Sequence, residues 1–330
     1  MASSGGQTAF VWTGFDRADV HQDARLLRDG ALEPVAIVPL PPTNPLDQRL
    51  IPGTSGAFHL LWRDRPPQEE ALRLYSAWLG ADLSVERGPV EISTAPTYAF
   101  TALADGSGGA WIAWSQGHPV EPEVWLGRLD AAGRPQQLTL VATNANYPAL
   151  THAPDGTPQL YWESEGQLWR ASLTPEGTEP PAALTGTVGR RSGDVLNDLW
   201  AAPCGAQVCV GWNLTRGDGQ AETWLTSGPA AIGQWNVPHR LEGLSWVSPN
   251  ADHNTSEPEL SAAAGTAEGL AVVRLRDGAV TARQVAVQGV ALSGLPGFIE
   301  TGTTRTVTWA EPGPDYAQLL LWMETLPNAP

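Results

Sequence analysis

Short apolar strands that end in tryptophan recur along the chain. They end at Trp12, Trp62, Trp114, Trp162, Trp212 and Trp309. Neighbouring copies are about 50 residues apart, and the last gap is about twice as long. A weaker copy at 260–287 lies inside that gap, with Val273 in the place of the tryptophan. A regular period of this length indicates a repeat architecture, and the count predicts seven copies.

The segment 147–185 shows one copy most fully. It reads as a strand, an Asp-Gly turn, an apolar strand to Trp162, a polar gap, a strand with Trp169, a Gly turn and a last polar strand. A continuously apolar strand is typical of one buried on both faces, whereas the polar last strand is typical of an exposed edge. The pattern predicts an all-β fold, a seven-bladed β-propeller with six blades as the alternative. Its blades have three to four antiparallel strands within one domain over residues 1–330.

The order of turns in 105–139 and 147–185 resembles blades of TolB-like and other WD40-like propellers, and of sialidase-type repeat propellers. This resemblance implies the architecture and says little about activity. The chain contains no Phe-Arg-Ile-Pro stretch and no Ser-x-Asp-x-Gly-x-x-Trp box. The sialidase resemblance therefore implies no catalytic residues here.

The first and last copies look incomplete. The first begins at its tryptophan strand, 8–14, with no inner strand before it, and the last ends at its second tryptophan strand, 319–323. Ring closure could join the two ends in one composite blade, giving six blades, or leave two three-stranded blades side by side.

The net charge and the lack of long apolar runs limit which partners the protein can bind. The formal charge of −16 argues against nucleic acid and anionic membranes, because phosphate binding needs a basic surface. No apolar run is long enough to span a membrane, and residues 1–6 lack the pattern of a signal peptide. We expect a monomer in the periplasm, outside the cell or on a lipid anchor, after removal of a leader absent from this sequence.

The two cysteines, Cys204 and Cys209, lie on either side of a predicted hairpin loop of four residues. A disulfide and a pair of buried thiols fit this spacing equally well. A disulfide would favour an exported protein.

Ligands of propellers bind where loops from each outer strand to the next inner strand converge, and we expect a polar mouth there. Carboxylates, amides and rings at such a mouth suit a sugar, a peptide or Ca²⁺; we expect no other cofactor. Asp198 and Glu259 are a candidate carboxylate pair for a glycosidase. The predicted ligand-binding residues are Arg49, Tyr98, Asn146, Tyr147, Asn197, Asp198, His253, Glu257 and Glu259.

Two loops have both a functional and a structural interpretation. In 244–260, Asp252, His253 and Glu257 could contact a ligand, but a solvated loop is favoured. Arg190 and Arg191 could clamp an anion, but a solvated pair is again favoured. Most tryptophans are explained by packing between blades; Trp235 and Trp246 are the candidates for exposure.

The favoured function is a non-catalytic scaffold that binds a protein or a glycan. The alternative is a carbohydrate-active hydrolase or lyase with its site at the central mouth. A structural protein that uses its acidic outer edge is a third option.

Overall fold

The computed structural model describes the chain except for residues 17–18, 29–30, 40–45, 67–68, 176, 232, 251–258, 290–295, 302–303, 312–317 and 326–330. It divides into two compact units, Met1–Leu150 and Thr151–Pro330. The prediction of one domain over 1–330 stays a prediction. The described part is all-β and contains a single short 3₁₀ turn, Thr54–Gly56. It contains no helix long and apolar enough to cross a membrane.

The first unit holds three blades and the beginning of a fourth. In each, consecutive strands pair antiparallel, and in blade 1 two short strands share the outer edge of β3. Blade 1 comprises β1 (Ala2–Ser4), β2 (Gln7–Asp16), β3 (Asp19–Arg28), β4 (Ala31–Leu32) and β5 (Ala36–Val38); blade 2 comprises β6 (Leu46–Pro52), β7 (Phe58–Asp64), β8 (Arg73–Leu79) and β9 (Val85–Glu91); blade 3 comprises β10 (Thr97–Ala104), β11 (Ala110–His118), β12 (Glu121–Leu129) and β13 (Pro135–Thr143).

The second unit holds most of blade 4, two more blades and a three-stranded sheet. Blade 4 comprises β14 (Ala145–His152), β15 (Pro158–Ser164), β16 (Gln167–Thr174), β17 (Gly177–Thr178) and β18 (Ala182–Thr187); blade 5 comprises β19 (Val195–Cys204), β20 (Gln207–Thr215), β21 (Ala221–Gly228) and β22 (His239–Arg240); blade 6 comprises β23 (Ser245–Pro249), β24 (Leu260–Thr266), β25 (Gly269–Arg276) and β26 (Ala279–Gln288); the last sheet comprises β27 (Gly297–Thr301), β28 (Thr304–Glu311) and β29 (Gln318–Thr325).

The fold is a β-propeller with four-stranded antiparallel blades, as predicted, but the main prediction of seven blades is wrong. Six described sheets have four strands along their path, which agrees with the six-bladed alternative. The last copy has three strands among the described residues, one fewer than each of those six sheets. The first copy does have an inner strand, because Ala2–Ser4 pairs with β2.

The second strand of a blade is buried on both faces, which explains its continuous apolar sequence. In blade 2, Leu60 and Trp62 pack into a cluster with blade 1, whereas Leu61 packs into a cluster with Ile112 and Trp114 of blade 3. Side chains alternate across a strand, so a single strand contributes to two interfaces. Trp62, Trp114, Trp162 and Trp212 are at most 2% exposed.

The degenerate copy forms a normal blade. Its strand β24 contributes Leu260 and Ala262 to the cluster with blade 5, and Ala263 to the cluster with the last sheet. Val273 lies on the third strand, β25, rather than on the tryptophan strand. Small alanines on β24 therefore replace the tryptophan in this copy.

Cys204 and Cys209 form a disulfide with a Cα–Cα distance of 5.8 Å. The hairpin between β19 and β20 turns through two residues, 205–206, rather than the predicted four. Cys204 pairs with Gln207, and Cys209 lies opposite Ala202, so the bridge runs diagonally across the hairpin. Both cysteines are fully buried.

Replacing Gly211 by Ala is expected to lower the free energy of unfolding by about 1–3 kcal/mol, since overpacking forces neighbours to move. A Cβ at Gly211 would lie 2.1 Å from Cζ2 of Trp200, its cross-strand partner. Urea unfolding measures the change. Gly217→Ala is the control, because its nearest neighbours are 3.7 Å away. Equal midpoints for the two variants would contradict this packing.

Replacing both Cys204 and Cys209 by Ala is expected to cost about 2 kcal/mol of stability, the loop-closure value for so short a loop. Urea unfolding of the wild-type protein under reducing conditions should show the same loss. An unchanged midpoint in both experiments would show that the bridge does not stabilise the hairpin.

Candidate functional site

Four of the described inner strands, in blades 2, 3, 5 and 6, share an irregularity near their beginning. In blade 3, Tyr98 is an extra residue, because Thr97 pairs with Gln116 and Ala99 with Ser115. The same one-residue bulge occurs in blade 2 between Leu46 and Arg49, in blade 5 at Asn197, and in blade 6 between Ser245 and Ser248. A bulge redirects side chains and is common beside active sites. We call the sheet edge at which inner strands begin the entry edge.

Several residues at the entry edge have a left-handed backbone. Asp47, Tyr147 and Trp246 have φ values of 51°, 53° and 53°. This conformation costs a residue other than glycine about 1 kcal/mol or more, and such residues cluster at functional sites. Aromatic and polar side chains are thus held at this edge against the backbone preference.

In the first unit, Arg63 joins the bulges of blades 2 and 3. Its guanidinium forms an ion pair with Asp47 and donates to the carbonyl oxygens of Thr97, at 3.1 Å, and Tyr98. The Tyr98 hydroxyl donates to Gly117 O at 2.5 Å, and burial raises the pKa of Tyr98, so its hydroxyl stays protonated. Arg49 is exposed, with its guanidinium carbon 6.0 Å from the ring centroid of Phe100.

In the second unit, Asn213 connects the bulges of blades 5 and 6 by hydrogen bonds. Its amide nitrogen donates to Asp198 Oδ1 at 2.7 Å and to Val247 O at 3.3 Å, and its amide oxygen accepts from Val247 N at 3.2 Å. Asn197 donates to Thr215 Oγ1 at 2.9 Å. Asn197, Asp198 and Trp246 are each partly exposed.

Arg63 and Asn213 occupy the same place in the repeat, directly after a tryptophan of the second strand. In blade 3 the corresponding Ser115 accepts a hydrogen bond from Ala99 N at 3.1 Å, also at the bulge. Sequence reasoning missed these residues. The available signal was the polar residue that directly follows the tryptophan in blades 2 to 5, because a polar group there needs a buried partner.

Beside Asn197, the entry edge of blade 5 carries an ion-pair network. Arg216 pairs with Asp194 at 2.5 Å and with Glu222 at 2.6 Å. Hydrogen bonds from Arg191 N and Arg216 hold the pKa of Asp194 below its usual range. The network fixes the loop before β19, whose Arg190 and Arg191 are exposed.

The structure places the remaining predicted residues as follows. Asn146 and Tyr147 lie at the beginning of β14, where Asn146 Oδ1 accepts from Tyr147 N at 2.8 Å. His253 and Glu257, like Asp252, lie outside the described residues. Trp235 is only 3% exposed and packs edge-on against Tyr161, so the prediction that it is exposed is wrong.

Glu259 does not belong to the entry edge. It directly precedes β24, which starts where the inner strand β23 ends. There it forms an ion pair with Arg276 at 3.0 Å and accepts a hydrogen bond from Thr281 at 3.1 Å. The short strand β23 has no visible strand pattern in the sequence, and without it the loop before β24 was assigned to the wrong edge. The proposed pairing of Asp198 with Glu259 is therefore wrong.

Over the described ranges, no group of three His, Cys, Asp or Glu side chains is placed to hold a metal ion. Ca²⁺ binding, and the expectation of no other cofactor, stay predictions.

No family model matches the chain, and no curated protein matches it. Among solved structures, a protein of unknown function from Dyadobacter fermentans aligns with a TM-score of 0.59 and 11% identity, over 85% of this chain and 94% of that one. An ulvan lyase of polysaccharide lyase family PL25 aligns with a TM-score of 0.56 and 12% identity, over 86% and 82%. An α-L-arabinofuranosidase from Fusarium graminearum aligns with a TM-score of 0.55 and 11% identity, over 85% and 93%.

At these identities the likeness concerns the fold, and it confirms the resemblance to propellers at that level. The comparison also corrects the favoured function. Two of these three structures are carbohydrate-active enzymes, so the interpretation as a non-catalytic scaffold is wrong as the first choice. The alternative, a hydrolase or lyase, is the better supported one.

The pH dependence of the Asp194 anchor is testable. A lowered folded-state pKa contributes stability above the unfolded-state value of about 4, and that stability is lost as pH falls through the folded-state value. Asp194→Asn should therefore lower the urea midpoint at about pH 7 and reduce its fall on acidification. Glu268→Gln, an exposed carboxylate elsewhere, is the control. Identical pH profiles for wild type and Asp194→Asn would contradict the role of this anchor.

Proposed function

We propose that the chain is a carbohydrate-active enzyme, a hydrolase or a lyase, whose substrate binds at the entry edge of the second unit. The observation that carries the proposal is the repeated bulge at the start of the inner strands. In the second unit it presents Asn197, Asp198 and Trp246. Rings that stack on sugars, beside amides and carboxylates that bind hydroxyl groups, are the side chains that a saccharide site needs.

Asp198 is the residue proposed for proton transfer. It is partly exposed, and the bond from Asn213 fixes one of its oxygens while Asn213 is itself held by Val247. A carboxylate oriented by a buried partner is suited to general acid or base catalysis. The exposed Arg190 and Arg191 lie on the loop that leads into the same strand and would attract acidic groups of a substrate.

The two reaction classes differ in where the proton goes. A hydrolase adds water across the glycosidic bond, so each cut gives one new reducing end and one new hydroxyl group. A lyase removes the proton beside the carboxylate of a uronic acid and expels the leaving oxygen, which leaves a carbon–carbon double bond and consumes no water. The fold accommodates both classes, as the similar structures show by their names.

We also propose that the propeller has six complete blades. We propose in addition that the protein is exported from the cytoplasm. Polysaccharides are met outside the cytoplasm, and a buried disulfide persists in oxidising compartments. That the protein acts as a monomer stays a prediction.

The test is incubation of the purified protein with a neutral arabinose polymer and with a polymer containing uronic acid. New reducing ends are expected from one of them, and ultraviolet absorbance by an unsaturated product identifies a lyase. Asp198→Asn should lower the rate about 100-fold or more. The matched control is Asp277→Asn, the same change in an exposed turn at the other edge of blade 6.

Two results would contradict the proposal. Absence of cleavage of either polymer would count against the enzyme class. Full activity of Asp198→Asn, with the control also active, would remove Asp198 from the site.

A further inference from the structure

A pocket of about 280 Å³ lies within the second unit, at the edge of blade 4 opposite its entry edge. Its wall combines the turn before β15, the start of β15, the end of β16, the start of β18 with the residues before it, and the segment after β21. This edge, at which inner strands end, is called the exit edge. The proposed saccharide site does not use it.

Arg170 is the notable residue of this pocket. It lines the cavity yet is only 6% exposed, and one of its terminal nitrogens donates to Ala230 O of the neighbouring blade. Gln159, 2% exposed, donates to the same oxygen at 2.7 Å. Tyr161 lies opposite Arg170 across the strands and donates to Gln159 Oε1. Hydrogen bonds therefore fix the side chains of Arg170, Gln159 and Tyr161.

The charge of Arg170 has no carboxylate partner among the ion pairs of the described residues. Burial raises the pKa of Tyr161, so the phenol stays neutral and supplies no counter-charge. A buried guanidinium is costly unless it is paired with an anion. Its planar fork matches a carboxylate, which can accept two parallel hydrogen bonds.

We propose that this pocket binds a small monocarboxylate through Arg170, with the hydroxyl groups of Thr157 and Ser172 as further contacts. All three residues line the cavity. The volume admits a ligand from acetate up to a single uronic acid. The binding site is separate from the proposed catalytic edge, and neither proposal depends on the other.

The acidic residues at the opening of the pocket determine which carboxylates it prefers. Asp155 and Glu179 also line it, and both are exposed. Their negative charges repel a second carboxylate of a ligand and attract an ammonium group, although solvent weakens both effects. The expected order of affinity is therefore glycine, then acetate, then malonate, and glucose should not bind.

The test is titration of the full-length protein with acetate, glycine, malonate and glucose, followed by thermal unfolding at constant ionic strength. A ligand that binds only the folded state raises the midpoint in a saturable way. Arg170→Gln should weaken acetate binding by about 30-fold or more, the effect of removing one partner of a buried charge pair. Arg283→Gln removes an equal charge from an exposed site on β26 and should leave acetate binding unchanged.

A second variant keeps Arg170 in place in case its loss prevents folding. Ala231→Leu narrows the mouth of the pocket from an exposed position and should lower the affinity for glycine more than that for acetate. The proposal is overturned if no carboxylate raises the midpoint, if glucose does so equally well, or if Arg170→Gln folds and binds acetate like wild type.

Discussion

Burial of the second strand of each blade on both faces is the constraint on which the structure depends. A strand such as β7 contributes Leu60 and Trp62 to one interface and Leu61 to the next. Both of its faces are buried against neighbouring blades, and its backbone pairs with a strand on each side, β6 and β8. Polar chemistry is thereby excluded from the interior of the blades and confined to the ends of the strands.

The two ends are used differently. At the entry edge, an extra residue in the inner strand redirects side chains, and the residue after the buried tryptophan joins neighbouring bulges. At the exit edge of blade 4, a buried arginine that has no carboxylate partner among the described residues lines a small pocket. The same packing therefore leaves a polar surface at one edge of the blades and, at the opposite edge of blade 4, the small pocket proposed to bind a carboxylate.

The tryptophan period predicted the blades because packing acts on side-chain identity, which is visible in the sequence. The inner strand β23 was missed because its five residues, Ser245–Pro249, lack an apolar run, and this put Glu259 at the wrong edge. The bulges at Tyr98 and Asn197 could not be predicted, since they depend on the register of pairing with another strand. Arg170 was missed for the same reason: its burial comes from blade 5, about 60 residues further along the chain.

Hydrogen–deuterium exchange with and without a bound oligosaccharide product tests most directly the claim that the entry edge is the substrate surface. Slower exchange is expected at the beginnings of β19 and β23, where the bulges leave backbone amides outside the regular ladder. The exit edges should exchange as in the free protein. Protection confined to the exit edges, or no protection anywhere while binding is confirmed independently, would contradict the claim.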